Sequence, residues 1–321
     1  MMEQLEKVGN LAARIEEEVA RHIIGQKELI KDTIICLIAG GNMLLEGVPG
    51  LGKTRLVSTL GVALGLDYKR IQFTPDLMPA DITGTNIYNK ETGGFEFQKG
   101  PVFTNIVLAD EINRATPKTQ SAMLEAMQEK TITSGTTTYK LNKPYLVMAT
   151  QNPIEQEGTY PLPEAQMDRF MFKLNVEFPS VDELLKIVTL TTGTSEPEIQ
   201  VITGVEELLE VQAAAKLVPA ALPVLEYAMK VIASTHPDSE FAPEVVKKYV
   251  RCGSSPRGAQ AIVATARVRA LMEGRYNISF EDIKKMAYPV LRHRLLLNFD
   301  AISDGRDADS IITEILLNVE A

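Results

Sequence analysis

The sequence predicts an α/β fold, a parallel sheet built around a phosphate-binding bend, followed by an all-helical domain. Three observations carry this. The stretch Gly47-Val48-Pro49-Gly50-Leu51-Gly52-Lys53-Thr54 lies between an apolar run, Met43-Leu44-Leu45, and a segment, Arg55 to Leu66, in which Leu56, Leu60 and Leu64 recur at helical spacing. Strand-like and helix-like stretches then alternate to about residue 180, as in a sheet whose crossovers are helices. Beyond Phe178-Pro179-Ser180 the spacing turns helical, as in Leu184, Leu185 and Val188, or Leu222, Leu225, Met229 and Ile232, with no further strand of core type. The expected division is therefore a nucleotide-binding domain over 1–180 and a helical domain over 181–321.

Taken in order, residues 4–22 place Leu5, Val8, Leu11, Ile15 and Val19 on one helical face, with Glu16, Glu17 and Glu18 clustered beside it. Ile23-Ile24-Gly25-Gln26 interrupts that period, and a second helix from about Lys27 to Ala39 stops at Gly40-Gly41-Asn42. Tyr68 to Phe73 reads as a short strand ending at Thr74-Pro75. Asp76 to Ala80 is expected to make a helical turn, and Asp81 to Val102 an insertion whose arms, Thr85 to Tyr88 and Phe95 to Phe97, flank Gly93-Gly94. Ile106-Val107-Leu108-Ala109 predicts a buried parallel strand that delivers Asp110-Glu111 at its C-terminal edge. Thr116-Pro117 is a helix start, with Thr116 as cap and Ala122, Met123, Ala126 and Met127 as inner stripe. Thr131 to Leu141 reads as a hairpin turning at Ser134-Gly135, and Pro144 to Ala149 as another buried strand, ending in Thr150-Gln151-Asn152-Pro153. A short helix over 161–170 and a strand over Met171 to Val176 complete the first domain.

Composition narrows the function. A chain of 321 residues with 45% apolar content is long enough for a sizeable core, and a net charge of -9 supplies no overall basic field to attract nucleic acid. Cys36, within Ile34 to Ile38, reads as a buried small hydrophobe, and its distance from Cys252 suggests neither zinc nor a disulfide framework. No run approaches a membrane span and the N-terminus lacks a basic-then-apolar leader, so a soluble cytoplasmic protein is expected.

The chemistry follows from residue types at the strand ends. Glycines let backbone N–H groups curl around a diphosphate, Lys53 can reach the β and γ phosphates, and Thr54 offers a hydroxyl to Mg²⁺; Arg55 is counted with this set. Asp110 is placed to hold Mg²⁺ through its water shell, and Glu111 to orient and deprotonate an attacking water. Asn152, after the strand expected beside the loop strand, could contact the γ phosphate or the water. Transition-state charge calls for a guanidinium, and Arg114, Arg169 and Arg257 are the candidates, Arg169 being better placed to serve a neighbouring subunit. The plain alternative for each is a surface salt bridge, and for Arg114 it is the preferred one.

With these pieces in chain order the sequence resembles the AAA+ ATPases, and among them the MoxR family. Gly47 to Thr54 matches Walker A, Leu108 to Ala115 matches Walker B with its extension, and Ala149 to Pro153 matches sensor 1. Leu162 to Phe170 is similar to the MoxR arginine-finger segment, and Ser255-Pro256-Arg257 to sensor 2. The resemblance implies a five-stranded parallel sheet, an insertion in the second helix (81–102), a hairpin before sensor 1 (131–143) and a helical lid. It also implies ring hexamers with ATP between subunits, Ile24, Gly25 and Gln26 near the adenine, and chaperone-like remodelling of protein clients with a von Willebrand factor A domain partner. Related rings with the same insertions move on DNA, but the acidic balance and a hairpin whose basic groups are Lys140 and Lys143 argue against that motor. A small-molecule kinase is weaker still, since no acceptor motif marks the second domain.

Overall fold

The computed structural model describes residues 2–48, 50–91, 93–153, 158–192 and 197–320. The chain opens with α1 (Met2–His22) and α2 (Lys27–Ala39), and Gly40 at φ +75° closes α2 in the left-handed conformation. The whole predicted stripe of α1 is buried, and so are Glu18 and His22. β1 (Met43–Glu46) and α3 (Lys53–Ala63) flank the glycine bend, and β2 (Tyr68–Gln72) follows. α4 (Pro79–Thr83) leads into the hairpin β3 (Gly84–Asn89) and β4 (Gly94–Lys99). Then come β5 (Ile106–Asp110), a 3-10 turn at Ile112–Arg114, α5 (Pro117–Glu129), the hairpin β6 (Thr131–Ser134) and β7 (Thr137–Lys140), β8 (Leu146–Gln151), α6 (Glu164–Met167) and β9 (Phe172–Asn175).

Five strands form one parallel sheet in the order β2-β5-β8-β1-β9, so their C-terminal ends lie along one edge. Alternate side chains serve two cores, as the two-residue period of a strand dictates. Leu44, Val107, Ala109, Val147 and Ala149 face Met123, Leu124 and Met127 of α5 together with Phe73 and Phe170. Met43, Leu45, Ile106, Leu108, Leu146 and Met148 face the larger core, which continues through α1, α2 and α3 into the later helices.

Those later helices are α7 (Val181–Thr192), α8 (Val205–Ala215), α9 (Leu222–Ala233), α10 (Glu244–Tyr249), α11 (Pro256–Met272), α12 (Phe280–Leu291), α13 (Phe299–Ser303) and α14 (Ala308–Asn318). Ser255 caps α11 by accepting the Arg257 N–H, as its Ser-Pro start signal suggests. No described helix is long and apolar enough to cross a membrane.

Several expectations need correction. The turn expected over 76–80 forms three residues later, because Pro79 suits the first turn of a helix. The 84–99 hairpin does not interrupt a helix; it follows the short α4, and irregular chain leads from it to β5. Thr116 does not cap α5 with its side chain, which lies instead 3.3 Å from the Thr119 hydroxyl. Ala122 is only half-buried, and Leu124 takes its place in the inner stripe. The helix expected over 161–170 is the four-residue α6. A small antiparallel pair, β10 (Val250–Cys252) with β11 (Leu296–Leu297), sits among the helices, where strands this short leave no periodic signal. In α9 the predicted stripe is the outer one, since Leu222 and Met229 are exposed while Val224, Tyr227, Ala228 and Val231 are buried.

Candidate functional site

The C-terminal edge of the sheet opens into two adjoining chambers that share Gly50, Gly52 and Arg55. The polar chamber, about 370 Å³, is lined by Gly47, Lys53, Thr54, Asp110, Glu111 and Asn152, with Arg70 and Thr150 completing the wall. Gly50 and Gly52 hold φ of +85° and +77°, which glycine adopts without strain, and nothing lies within 4 Å of where a Cβ would stand on either. Gly52 stands at the N-cap of α3, a helix with no acid in its first turn, so the positive end of its dipole faces the chamber. The Lys53 ammonium donates to the Gly47 carbonyl inside the bend. Burial draws its pKa below the ordinary value, against the negative charge of Asp110, Glu111 and Glu46.

Both acids are held firmly. Asp110 Oδ2 accepts from Arg70 Nε at 2.9 Å and Nη2 at 2.6 Å, and Oδ1 accepts the Thr150 hydroxyl at 2.6 Å. At φ +54° Glu111 turns out of the strand into the left-handed region, and its N–H donates to the same Thr150 oxygen at 2.8 Å. Its carboxylate accepts from Gln72 and Arg114, each at 3.0 Å. Thr150 is thus a relay between the two acids, made possible by the parallel pairing of β5 with β8. Arg114 engages Glu111, in line with the salt-bridge alternative for this residue. Asn152 lines the chamber, and its carbonyl accepts from Asn113 at 3.4 Å. Asp110 and Thr54 bring two hard oxygen donors to the same chamber, a set suited to Mg²⁺, which takes few protein ligands and keeps several waters.

The second chamber, about 300 Å³, is largely apolar, with Ile23, Leu51, Phe178, Leu184, Ile187 and Leu190 in its walls together with Ile24 and Gln26. Gly25 completes that turn at φ +72°, where an added Cβ would lie 2.6 Å from the Glu183 carboxyl. Gln26 itself is left-handed at φ +53°, and its amide donates to the Glu177 carbonyl at 3.5 Å. Val48 lies in the bend between lining residues, and Pro49 falls outside the described residues.

Two predicted arginines line neither chamber. Arg169, just after α6, is half-buried, and among the described residues no hydrogen bond or ion pair engages its side chain. Its neighbour Asp168 is heavily used. It accepts from Ser255 Oγ at 2.9 Å, Arg294 Nε at 2.8 Å and Arg257 Nη1 at 3.5 Å. Buried Arg294 also donates to the carbonyls of Asp168, Phe170 and Met171, fastening this segment to the helices beyond it.

Sequence reasoning missed Arg70, Gln72, Thr150 and this Asp168–Arg294 clamp. Arg70 and Gln72 had a signal, two polar residues at i, i+2 on a strand neighbouring the acid-bearing one; the clamp joins residues 126 apart and had none.

Comparison with known proteins agrees with this geometry. Residues 42–172 match the ATPase family associated with various cellular activities (AAA), and 243–315 match the AAA lid domain. Chaperone MoxR1 of Mycobacterium tuberculosis is 44% identical over 94% of this chain and 80% of its own length. Protein MoxR of Methylorubrum extorquens is 31% identical over 89% and 88%. A crystal structure from Cytophaga hutchinsonii, described as that of a candidate ATPase, superposes with a TM-score of 0.93 at 42% identity, covering 99% of this chain and 97% of the other.

Proposed function

The chain belongs to the MoxR group of the AAA ATPases, and on that premise we propose that it is a Mg²⁺-dependent ATPase that works as a ring, hexameric by family resemblance, to remodel protein complexes. One observation carries the ATPase reading: an apolar chamber of base size opens, across the glycine bend, onto a cationic helix terminus and two fixed carboxylates. A nucleoside triphosphate has that sequence of chemistries, a flat apolar ring, then linked anions.

In this mechanism the backbone N–H groups of Gly50 to Lys53 and the Lys53 ammonium hold the phosphates, while Thr54 and Asp110 would hold magnesium. The cation, when bound, screens the charge that builds on the phosphate oxygens. Glu111 takes the proton of the attacking water, and Thr150 keeps its main chain in place for the task. Asn152 orients the water or the γ phosphate. Arg169, uncommitted among the described residues, reaches the γ phosphate of a neighbouring subunit, and Arg257 reports the state of the lid over 181–321 to the domain over 1–180. Remodelling of a client, with a von Willebrand factor A domain protein as adaptor, rests on the resemblance and on the name of the mycobacterial relative, a chaperone.

Glu111→Gln should bind ATP as the wild type does and lose turnover by about 100-fold or more, read as phosphate release, since a positioned base contributes about 10² to 10⁴. Wild-type turnover in that variant removes Glu111 from its role. Mixing Lys53→Ala with Arg169→Ala subunits should restore part of the activity that each has lost; two folded, assembled variants that stay inactive when mixed count against an arginine acting across the interface.

A further inference from the structure

One buried polar side chain of the apolar chamber has, among the described residues, a ring nitrogen without a hydrogen-bond partner. His22, the last residue of α1, is 4% exposed and lines the chamber wall. Its Nε2 lies 3.3 Å from Glu18 Oε1. Glu18 is itself buried and accepts from the Gln200 N–H at 2.8 Å and from Arg21 at 3.0 Å. The Gln200 amide first, then the imidazole and Arg21, hold its carboxyl below the ordinary range against the cost of burial, so it is an acceptor with no proton to give. In the neutral ring, a carboxylate at Nε2 assigns the single proton to Nε2 and leaves Nδ1 an acceptor. Among the described residues no hydrogen bond engages Nδ1, and it is not one of the atoms sealed from solvent without a partner. The neighbouring polar groups are already committed: Thr191 donates its hydroxyl to Ile187 and Gln26 its amide to Glu177.

We propose that His22 Nδ1 selects the nucleobase by accepting a hydrogen bond from the 6-amino group of adenine. The inference rests on the chamber being the base site of the ATPase reading above. A 6-oxo purine brings an acceptor to the same point, and two acceptors in an apolar enclosure leave both unpaired, a penalty that rejects the wrong base more strongly than shape alone. Glu18 is the positioning residue: it fixes the tautomer and, through Gln200, ties the base wall to the chain entering α8.

The test is equilibrium binding of ATP, inosine triphosphate and purine riboside triphosphate, the last lacking any 6-substituent, to the full chain. Wild type should prefer ATP to either analogue by about tenfold or more, the worth of one buried hydrogen bond. In His22→Phe that preference should shrink to within about twofold, with affinity for purine riboside triphosphate nearly unchanged. Should that variant fail to fold, the wild type still answers: with ¹⁵N-labelled histidine, ATP should move the Nδ1 resonance of His22 and purine riboside triphosphate should not. An unchanged ATP preference in His22→Phe, no preference in the wild type, or an Nδ1 signal indifferent to ATP overturns the assignment alone. A wild type that binds none of the three overturns the ATPase reading with it.

Discussion

The polar chamber and the clamp around Asp168 are both charged, yet they are built in opposite ways. The chamber takes most of its groups from one unbroken run, Gly47 to Arg55, and the rest from the ends of adjacent parallel strands, where register alone sets Asp110 and Thr150 within 2.6 Å. The clamp joins Asp168 to Ser255, Arg257 and Arg294, which lie 87 to 126 residues further along the chain, and meets only when the helices have packed. Local chemistry of the first kind can change with little effect on stability. Tertiary chemistry of the second kind holds the Arg169 segment against the lid, so losing it should disturb the fold.

Four experiments sharpen or break this contrast. Lys53→Ala should cost about 100-fold in ATP affinity, as expected for a lost charge-assisted contact, while the thermal midpoint stays within about 2 °C; a large drop in midpoint would show the chamber to be structural. Arg294→Ala should behave conversely, lowering stability in a urea titration by about 3–5 kcal/mol, since it removes the buried partner of Asp168, which keeps Ser255 and Arg257, and leaves several carbonyls without their donor. Thr150→Val removes one hydroxyl that serves both acids, and about tenfold slower turnover with little change in ATP affinity is expected. An affinity loss equal to the rate loss would mean that Thr150 supports binding rather than the placement of the acids.

The smallest effect concerns His293, whose Nε2 donates to the Phe170 carbonyl at 3.0 Å beside the clamp. Burial first, then the charge of Arg294, keeps its imidazole well below the ordinary histidine value and therefore neutral. The unfolded chain takes up a proton near its ordinary value of about 6.5 and the folded chain does not, so this stability is present above that pH and is lost as pH falls below it. A His293→Gln variant should flatten the fall of the thermal midpoint between about pH 7 and pH 5, and an unchanged slope would remove His293 from the acid response.

How much was legible follows the same line. The glycine bend, the apolar strand before Asp110-Glu111, the buried stripe of α1 and both hairpins are written in spacing of a few residues, and pattern reading finds them. Arg169 and Arg257 are candidates from chemistry and chain position as well as by resemblance, but the bonding of Asp168 to Arg257 and to the lid residue Arg294 has no local period to mark it. Glu18 stands in a run of three acids, and composition cannot tell which member of a charged run turns inward. In α9 the spacing gave the helix but not the side it buries, because apolar residues occur on both faces.

α7 has a consequence of its own. Twelve residues long, it contains no buried side chain: Leu184, Ile187 and Leu190 border the apolar chamber, while Val181, Leu185 and Val188 stand exposed on the other side. Helices of that length are marginal in water unless something covers an apolar flank. A purine seated against α7 would serve as its keystone, so that cargo and masonry become the same object and each release of product loosens one wall of the building.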